Sequence, residues 1–250
     1  MAENINKVET PWDITAKRYV GFIDIMGFKD MVSRSTHDEI YEMMKNIEAA
    51  KNQNEKIEWG NSKEQLVRST FYSDSIMLYS KDDSYGSVDA MLYTLSAFTN
   101  DLLVLGIPHK GALAFGNMTL DTERSIFFGQ PLIDAYLLQE ELSLYCIVIH
   151  SSAEGEIERQ SFKHLLFHDY ICPFKGGASK HLIIPPIFAG ASPNGTLHKW
   201  EQELKNGIKA LRHKTSGHLR KYIDNTEAFL KSYEEKQAKQ IQIKNAGGNI

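Results

Sequence analysis

Two aspartates, Asp24 and Asp74, have the setting in this chain that most calls for chemistry. They stand fifty residues apart, each at the tip of an apolar run. The first closes Tyr19-Val20-Gly21-Phe22-Ile23-Asp24-Ile25-Met26-Gly27-Phe28; the second lies in Thr70-Phe71-Tyr72-Ser73-Asp74-Ser75-Ile76-Met77-Leu78. A carboxylate at the end of a buried strand is costly unless positive charge meets it. Two of them on neighbouring strands suit hard divalent cations, Mg²⁺ or Mn²⁺, held against a polyphosphate. Gly27 permits a close turn after the first aspartate, and the backbone N–H groups around Gly27 and Phe28 can then bind phosphate oxygens. Singly, each aspartate reads as a turn or cap residue. Together, with the glycine turn, they favour metal binding.

The surrounding pattern says how the pair is brought together. Residues 17–25 predict a buried strand, and Asp38 is placed to cap a helix reaching about residue 52, with Ile40, Met43, Met44 and Ile47 at helical spacing. Residues 51–64 read as a polar loop. Residues 66–72 and 75–80 predict a hairpin turning at Ser73-Asp74. Ser87 opens a second helix with the apolar stripe Val88, Met91, Leu92, Leu95, Phe98 and Leu102. Strands follow at 107–118 and 125–128, then a helix with Pro131 in its first turn, then a strand at 144–150. Further on, 162–170 predicts a helix, Cys172-Pro173-Phe174-Lys175-Gly176-Gly177 a loop, and 181–187 an extended segment. Two polar helices, 197–212 and 216–239, finish the chain, with disorder expected over 241–250.

This order, β-α-β-β-α-β before a further β-α-β, predicts an α+β fold. It is the ferredoxin-like or palm arrangement, a mostly antiparallel sheet with helices packed on it, plus C-terminal helices. The first strand then lies beside the hairpin, and Asp24 meets Asp74. The expected divisions are an N-terminal tail 1–16, a catalytic domain 17–195, a helical extension 196–240 and the terminal 241–250.

Bulk properties narrow the class. The 250 residues have 42% hydrophobic and 24% charged content, ordinary for a globular protein. A net charge of −4 argues against a nucleic-acid binder, and so against a two-metal nuclease or polymerase palm. Cys146 and Cys172 make no disulfide framework and fit a reducing cytoplasm. Met1 to Asp13 is polar and of mixed charge, unlike a secretory leader, and no apolar run is long enough to span a membrane. His164 and His168 share helical spacing but lack the glutamate of a zinc motif, and no phosphate-binding glycine loop is present.

Phe22-Ile23-Asp24-Ile25-Met26-Gly27-Phe28 resembles the first-strand motif F-x-D-I-x-G-F of the class III nucleotidyl cyclases. Tyr72-Ser73-Asp74-Ser75 is similar to the hairpin carrying that family's second metal aspartate. Gly111-Ala112-Leu113-Ala114-Phe115-Gly116 and Phe127-Phe128-Gly129-Gln130-Pro131 follow in the family's order. The resemblance covers roughly residues 19–150. It implies a homodimer with active sites at the interface, each holding two Mn²⁺ or Mg²⁺ ions on Asp24, the Ile25 carbonyl and Asp74. One ion would activate the ribose 3′-OH and the other steady the leaving pyrophosphate.

Departures from the family pattern bear on the substrate. The base-reading lysine of purine cyclases is replaced by Thr70, its partner aspartate by Ile126, and the transition-state asparagine and arginine by Ile133 and Leu137. Arg68, Thr70, Tyr72 and Asp74 alternate onto one face, where Arg68 and Tyr72 can stack on or bond to a base. In this combination the chain resembles the pyrimidine nucleotide cyclases of Pycsar antiphage defence. That implies cyclic UMP or cyclic CMP made from UTP or CTP, with UTP favoured, and a separate effector that responds to the product. Lys175 resembles the family's phosphate-binding lysine; Lys110 and Arg124 are further candidates, and Lys29 reads as solvent-facing. The alternative is a catalytically inactive cyclase-like domain that binds a nucleotide or a partner.

Overall fold

A computed structural model describes residues 11–55, 64–159, 168–186 and 197–246. Alternation along β1 (Thr15–Ile25) divides its side chains between two faces. Tyr19, Ile23 and Ile25 enter the main core, whereas Val20, Phe22 and Asp24 take the other side. After β1 come α1 (Phe28–Arg34), α2 (His37–Glu55), the hairpin β2 (Val67–Tyr72) and β3 (Ser75–Ser80), α3 (Tyr85–Val104) and β4 (His109–Asp121). β5 (Ile126–Gly129), α4 (Gln130–Glu141), β6 (Ile147–Ile149), α5 (Ser151–Arg159), β7 (His168–Phe174) and β8 (Gly177–Ile184) follow. α6 (Leu197–Lys214), a short 3₁₀ turn and α7 (Arg220–Ala246) complete the described chain.

The sheet order is β2-β3-β1-β4-β6-β8-β7, with β5 on the far end of β4. Of these pairings β4–β6 is parallel and the others are antiparallel. The expected α+β palm architecture is therefore the observed one. α3 buries Val88, Met91, Leu92, Leu95, Phe98 and Leu102 against the Tyr19–Ile23 face. At about 3–5 kcal/mol for a buried Phe-to-Ala truncation, Phe98 alone matters greatly to this packing. A second core joins α6 and α7 to Tyr145, Val148, Cys172 and Ile183 through Leu204, Ile208, Ile223 and Phe229.

Several local readings are corrected. α2 is capped by Thr36: its Oγ1 accepts from Glu39 N–H at 3.3 Å, and Glu39 Oε2 accepts from Thr36 N–H at 2.7 Å. That reciprocal box fills the role expected of Asp38. Ser84, accepting from Ser87 N–H, caps α3 in place of Ser87. His168–Tyr170 belongs to a strand rather than the expected helix, whereas 160–167, His164 included, lie outside the described residues. Cys172-Pro173-Phe174 is also strand, not loop; β7 is the sheet edge, where the missing proline N–H costs no ladder bond. α5 was not expected at all, and α7 continues to Ala246, into the segment expected to be disordered.

Candidate active site

Asp24 is the penultimate residue of β1, paired with Ser75 of β3 on one side and Lys110 of β4 on the other. The hairpin tip reaches the same point. Ile25 N–H donates to the Asp74 carbonyl at 2.8 Å, which fixes Asp74 beside the end of β1. Ser73, at φ 56°, supplies the left-handed residue that turns this two-residue connection. On the other flank Met26 N–H donates to Pro108 carbonyl at 2.8 Å. Gly27, at φ 73°, then starts α1, whose Met31 N–H returns to the Gly27 carbonyl. Gly27 is exposed beside the aspartates, while the Phe28 side chain packs on the main core as an anchor.

Burial and, next, the neighbouring Asp74 push the Asp24 carboxyl up to about 6, with Lys110 pulling the other way and Glu140 adding to the rise. Lys110 is only 4% exposed. Burial lowers its pKa, against the pull of Glu140, Asp24 and Glu141. Its Nζ donates to the Glu140 carbonyl at 2.9 Å, at the C-terminal end of α4. Lys175, in the β7–β8 turn, arrives at the same helix end. Its N–H donates to the Glu141 carbonyl at 2.7 Å, and its Nζ lies 3.4 Å from Glu140 Oε2. Asp24, Asp74, Lys110, Lys175 and Glu140 thus converge. Arg124, by contrast, pairs with Asp121 at the other end of β4, and Lys29 is exposed on α1.

Strand register puts Arg68, Thr70 and Tyr72 on the face that carries Asp24. They pair with Tyr79, Met77 and Ser75, which pair in turn with Val20, Phe22 and Asp24. Tyr72 is 80% exposed and so is no core residue. Thr70 Oγ1 lies 3.2 Å from the Tyr79 hydroxyl. The Arg68 guanidinium bonds Gln65 and lies over the Trp12 ring. α4 crosses this face near Asp24, with Tyr136 edge-on to Phe22. Ile126, Ile133 and Leu137, the residues at the altered positions, are all exposed. Trp12 and Glu140 were not foreseen. Neither carries a local sequence signal, since each owes its place to tertiary contacts.

No family model matches the chain, and no curated protein matches it in sequence. In structure it is similar to the monomeric guanylyl cyclase domain of the RhoGC fusion protein from the aquatic fungus Blastocladiella emersonii. The TM-score is 0.50 at 14% identity, over 70% of this chain and 98% of that one. The guanylate cyclase domain of RhGC from Catenaria anguillulae, in complex with GTP, is also similar, with TM-score 0.49 and 16% identity over 68% of this chain and 96% of that one. The Blastocladiella likeness shows the fold: this chain has the α+β palm arrangement of that domain. Among the described residues, no helix is long and apolar enough to cross a membrane.

Among the described residues no three His, Cys, Asp or Glu side chains cluster as metal ligands. The candidate set is smaller: two carboxylates and the Ile25 backbone carbonyl. It fits hard cations all the same, because every donor is oxygen and Asp24 carries an unfavourable charge that a cation would relieve.

Proposed function

We propose that this protein is a metal-dependent pyrimidine nucleotide cyclase. It converts UTP, in preference to CTP, to the 3′,5′-cyclic monophosphate and pyrophosphate. The observation that carries the reading is the junction of Asp24 and Asp74 at the Ile25–Asp74 hydrogen bond, next to buried Lys110, on a palm fold. Asp24, Asp74 and the Ile25 carbonyl would hold the two Mn²⁺ or Mg²⁺ ions. When bound, such ions acidify the ribose 3′-OH and neutralise the leaving pyrophosphate. The Gly27–Phe28 turn offers backbone N–H groups to phosphate oxygens. Lys110 and Lys175 supply fixed positive charge to the triphosphate, where charge grows as the bond to the α-phosphate breaks.

Arg68, Thr70 and Tyr72 take the base. Thr70 and Ile126, standing where purine cyclases carry their base readers, support a pyrimidine. Exposed Tyr72, Phe128, Ile133, Tyr136 and Leu137 support a homodimer with its sites at the interface. The protein then acts in the cytoplasm, in antiphage defence, and its cyclic product engages a separate effector.

The test is incubation of the purified protein with each NTP and Mn²⁺, with products identified by mass spectrometry. Cyclic UMP that disappears in Asp24→Ala and Asp74→Ala is the expected result. Full activity in Asp74→Ala removes the two-metal site. If nucleotides bind but none is cyclised, the chain is instead the inactive binding domain that the apolar Ile133 and Leu137 would suit.

A further inference from the structure

The two lysines assigned to the triphosphate share one counter-ion, Glu140, in the last turn of α4. Its carbonyl accepts from Lys110 Nζ at 2.9 Å, and its Oε2 lies 3.4 Å from Lys175 Nζ. Fully buried Gln139 donates from Nε2 to the other carboxylate oxygen, Oε1, at 3.3 Å, which leaves Oε2 turned to Lys175. Burial does most to lower the Lys110 pKa; among the charges around it Glu140 opposes that lowering most, and Lys175 adds to it. The two ammonium groups are thus close enough to repel. At Lys110, Glu140 offsets that repulsion more than any other charge.

The two lysines differ in how firmly they are held. Lys110 is buried and bonded to a backbone carbonyl. Lys175 is fixed through its backbone rather than its side chain. Its N–H donates to the Glu141 carbonyl at 2.7 Å, Ser143 N–H donates to the Pro173 carbonyl at 2.9 Å, and Leu142 bridges Phe174. The Lys175 side chain is 46% exposed and that of Glu140 40%. An ion pair this open and this long contributes little to stability, so it exchanges readily. Lysine suits exchange, because its ammonium is a point charge with three donors on a flexible stem. A polyphosphate offers it more negative charge than one carboxylate does.

We infer that Glu140 is a positioning residue for the polyphosphate: it parks Lys175 beside Lys110 in the empty site, yields it to the substrate, and reclaims it as pyrophosphate leaves. This role rests on the nucleotide cyclase reading, and it has a definite sign. Substrate binding must break the Glu140–Lys175 pair and bring phosphate toward a carboxylate, so Glu140 weakens polyphosphate binding. UTP has base and ribose contacts to offset that loss, whereas pyrophosphate has only cations to hold it. Glu140 thereby gives the site a means of releasing its inorganic product.

The experiment measures binding of pyrophosphate and of 3′-deoxy-UTP, which lacks the attacking hydroxyl, by calorimetry with Mg²⁺. It uses the full chain and the variants Glu140→Gln, Glu140→Asp, Lys175→Met and Glu140→Gln/Lys175→Met. Glu140→Gln keeps the shape of the side chain and can still accept from Gln139, so only the charge is removed. It should bind both probes about tenfold more tightly than wild type, on the scale of one charge-assisted hydrogen bond released to the phosphate. Glu140→Asp, which retains the charge, should stay within about threefold of wild type. Lys175→Met should weaken both, and adding Glu140→Gln to it should recover less than about threefold, since the exchange needs both partners. Unchanged or weaker binding in Glu140→Gln, Glu140→Asp as tight as Glu140→Gln, or an undiminished gain without Lys175 would overturn the inference while leaving the cyclase reading intact. A wild-type chain that binds neither probe would bring down both.

Discussion

Replacing Asp24 by Asn should stabilise the metal-free protein, although it removes a residue of the candidate site. Burial and Asp74 raise the Asp24 carboxyl to about 6 from the ordinary 3.8. A carboxyl whose folded pKa lies above its unfolded one binds more protons in the native state between those values. Stability from this group is therefore full below about pH 4, falls as pH rises to about 6, and stays lost above it. At roughly 1.4 kcal/mol per tenfold change in proton affinity, the full penalty is about 3 kcal/mol, and partial solvent access reduces it to about 2. For a chain of this size that is roughly 4–8 °C in Tm. Thermal melts in EDTA at pH 4.5 and pH 8 should thus show Asp24→Asn gaining little at the lower pH and about 2 kcal/mol at the higher. Adding Mn²⁺ at pH 8 should raise the wild-type Tm and leave the variant unmoved. A variant less stable than wild type at pH 8, or equally responsive to Mn²⁺, would refute the picture of an electrostatically unsatisfied carboxylate.

Two further outcomes test the frame around the site. Gly207 of α6 lies against the backbone of α3, where an added methyl would run into the Leu103 carbonyl and crowd Val104 at 3.1 Å. Gly207→Ala should therefore cost about 2 kcal/mol, roughly 4–8 °C in Tm, by forcing the two helices apart; an unchanged melt would mean that they do not pack this closely. Leu137→Asp adds a charge to an α4 surface where Ile133, Tyr136 and Leu137 are each about half exposed. Light scattering should show a dimer becoming a monomer with its melting temperature little altered, and a dimer that survives would move the interface elsewhere.

What the sequence disclosed was local. Alternation along β1 and the two-residue turn at Ser73-Asp74 are written in consecutive residues, so the aspartates and their neighbouring strands could be read directly. The α3 stripe was legible for the same reason: its apolar spacing repeats over several turns. α5 was not, because only Ala153 and Ile157 are buried and Gly155 interrupts the helical signal. Its tie to the fold is tertiary, through Ser152 Oγ accepting from Phe115 N–H at 3.0 Å. β7 was hidden by Pro173, whose place in a strand depends on that strand being an edge, a fact of sheet order rather than of sequence. Lys110 and Lys175 could be named as candidate cations. Their meeting at the end of α4 depends on Glu140 and Glu141, which lie thirty or more residues from either lysine.

The meeting of those charges also differs from a structural ion pair. In a structural pair the carboxylate is depressed and the cation raised, because each relieves the other. Arg212 shows the cation's half of that pattern on the helical extension. It bonds Glu227 and Asp224 at once, and those hydrogen bonds raise its pKa. At the tip of β1 both signs are reversed. Asp24 is raised and Lys110 lowered, although they sit opposite each other in register. Lys110 spends its hydrogen bond on the Glu140 carbonyl, and Asp74 adds like charge beside Asp24. A fold whose only need were stability would gain by turning Lys110 onto Asp24 or by making the pair apolar. Burying a carboxylate beside a second one, and an ammonium whose hydrogen bond goes elsewhere, costs stability at this strand tip. That cost has a chemical rationale if the carboxylates are to receive cations and the ammonium a phosphate.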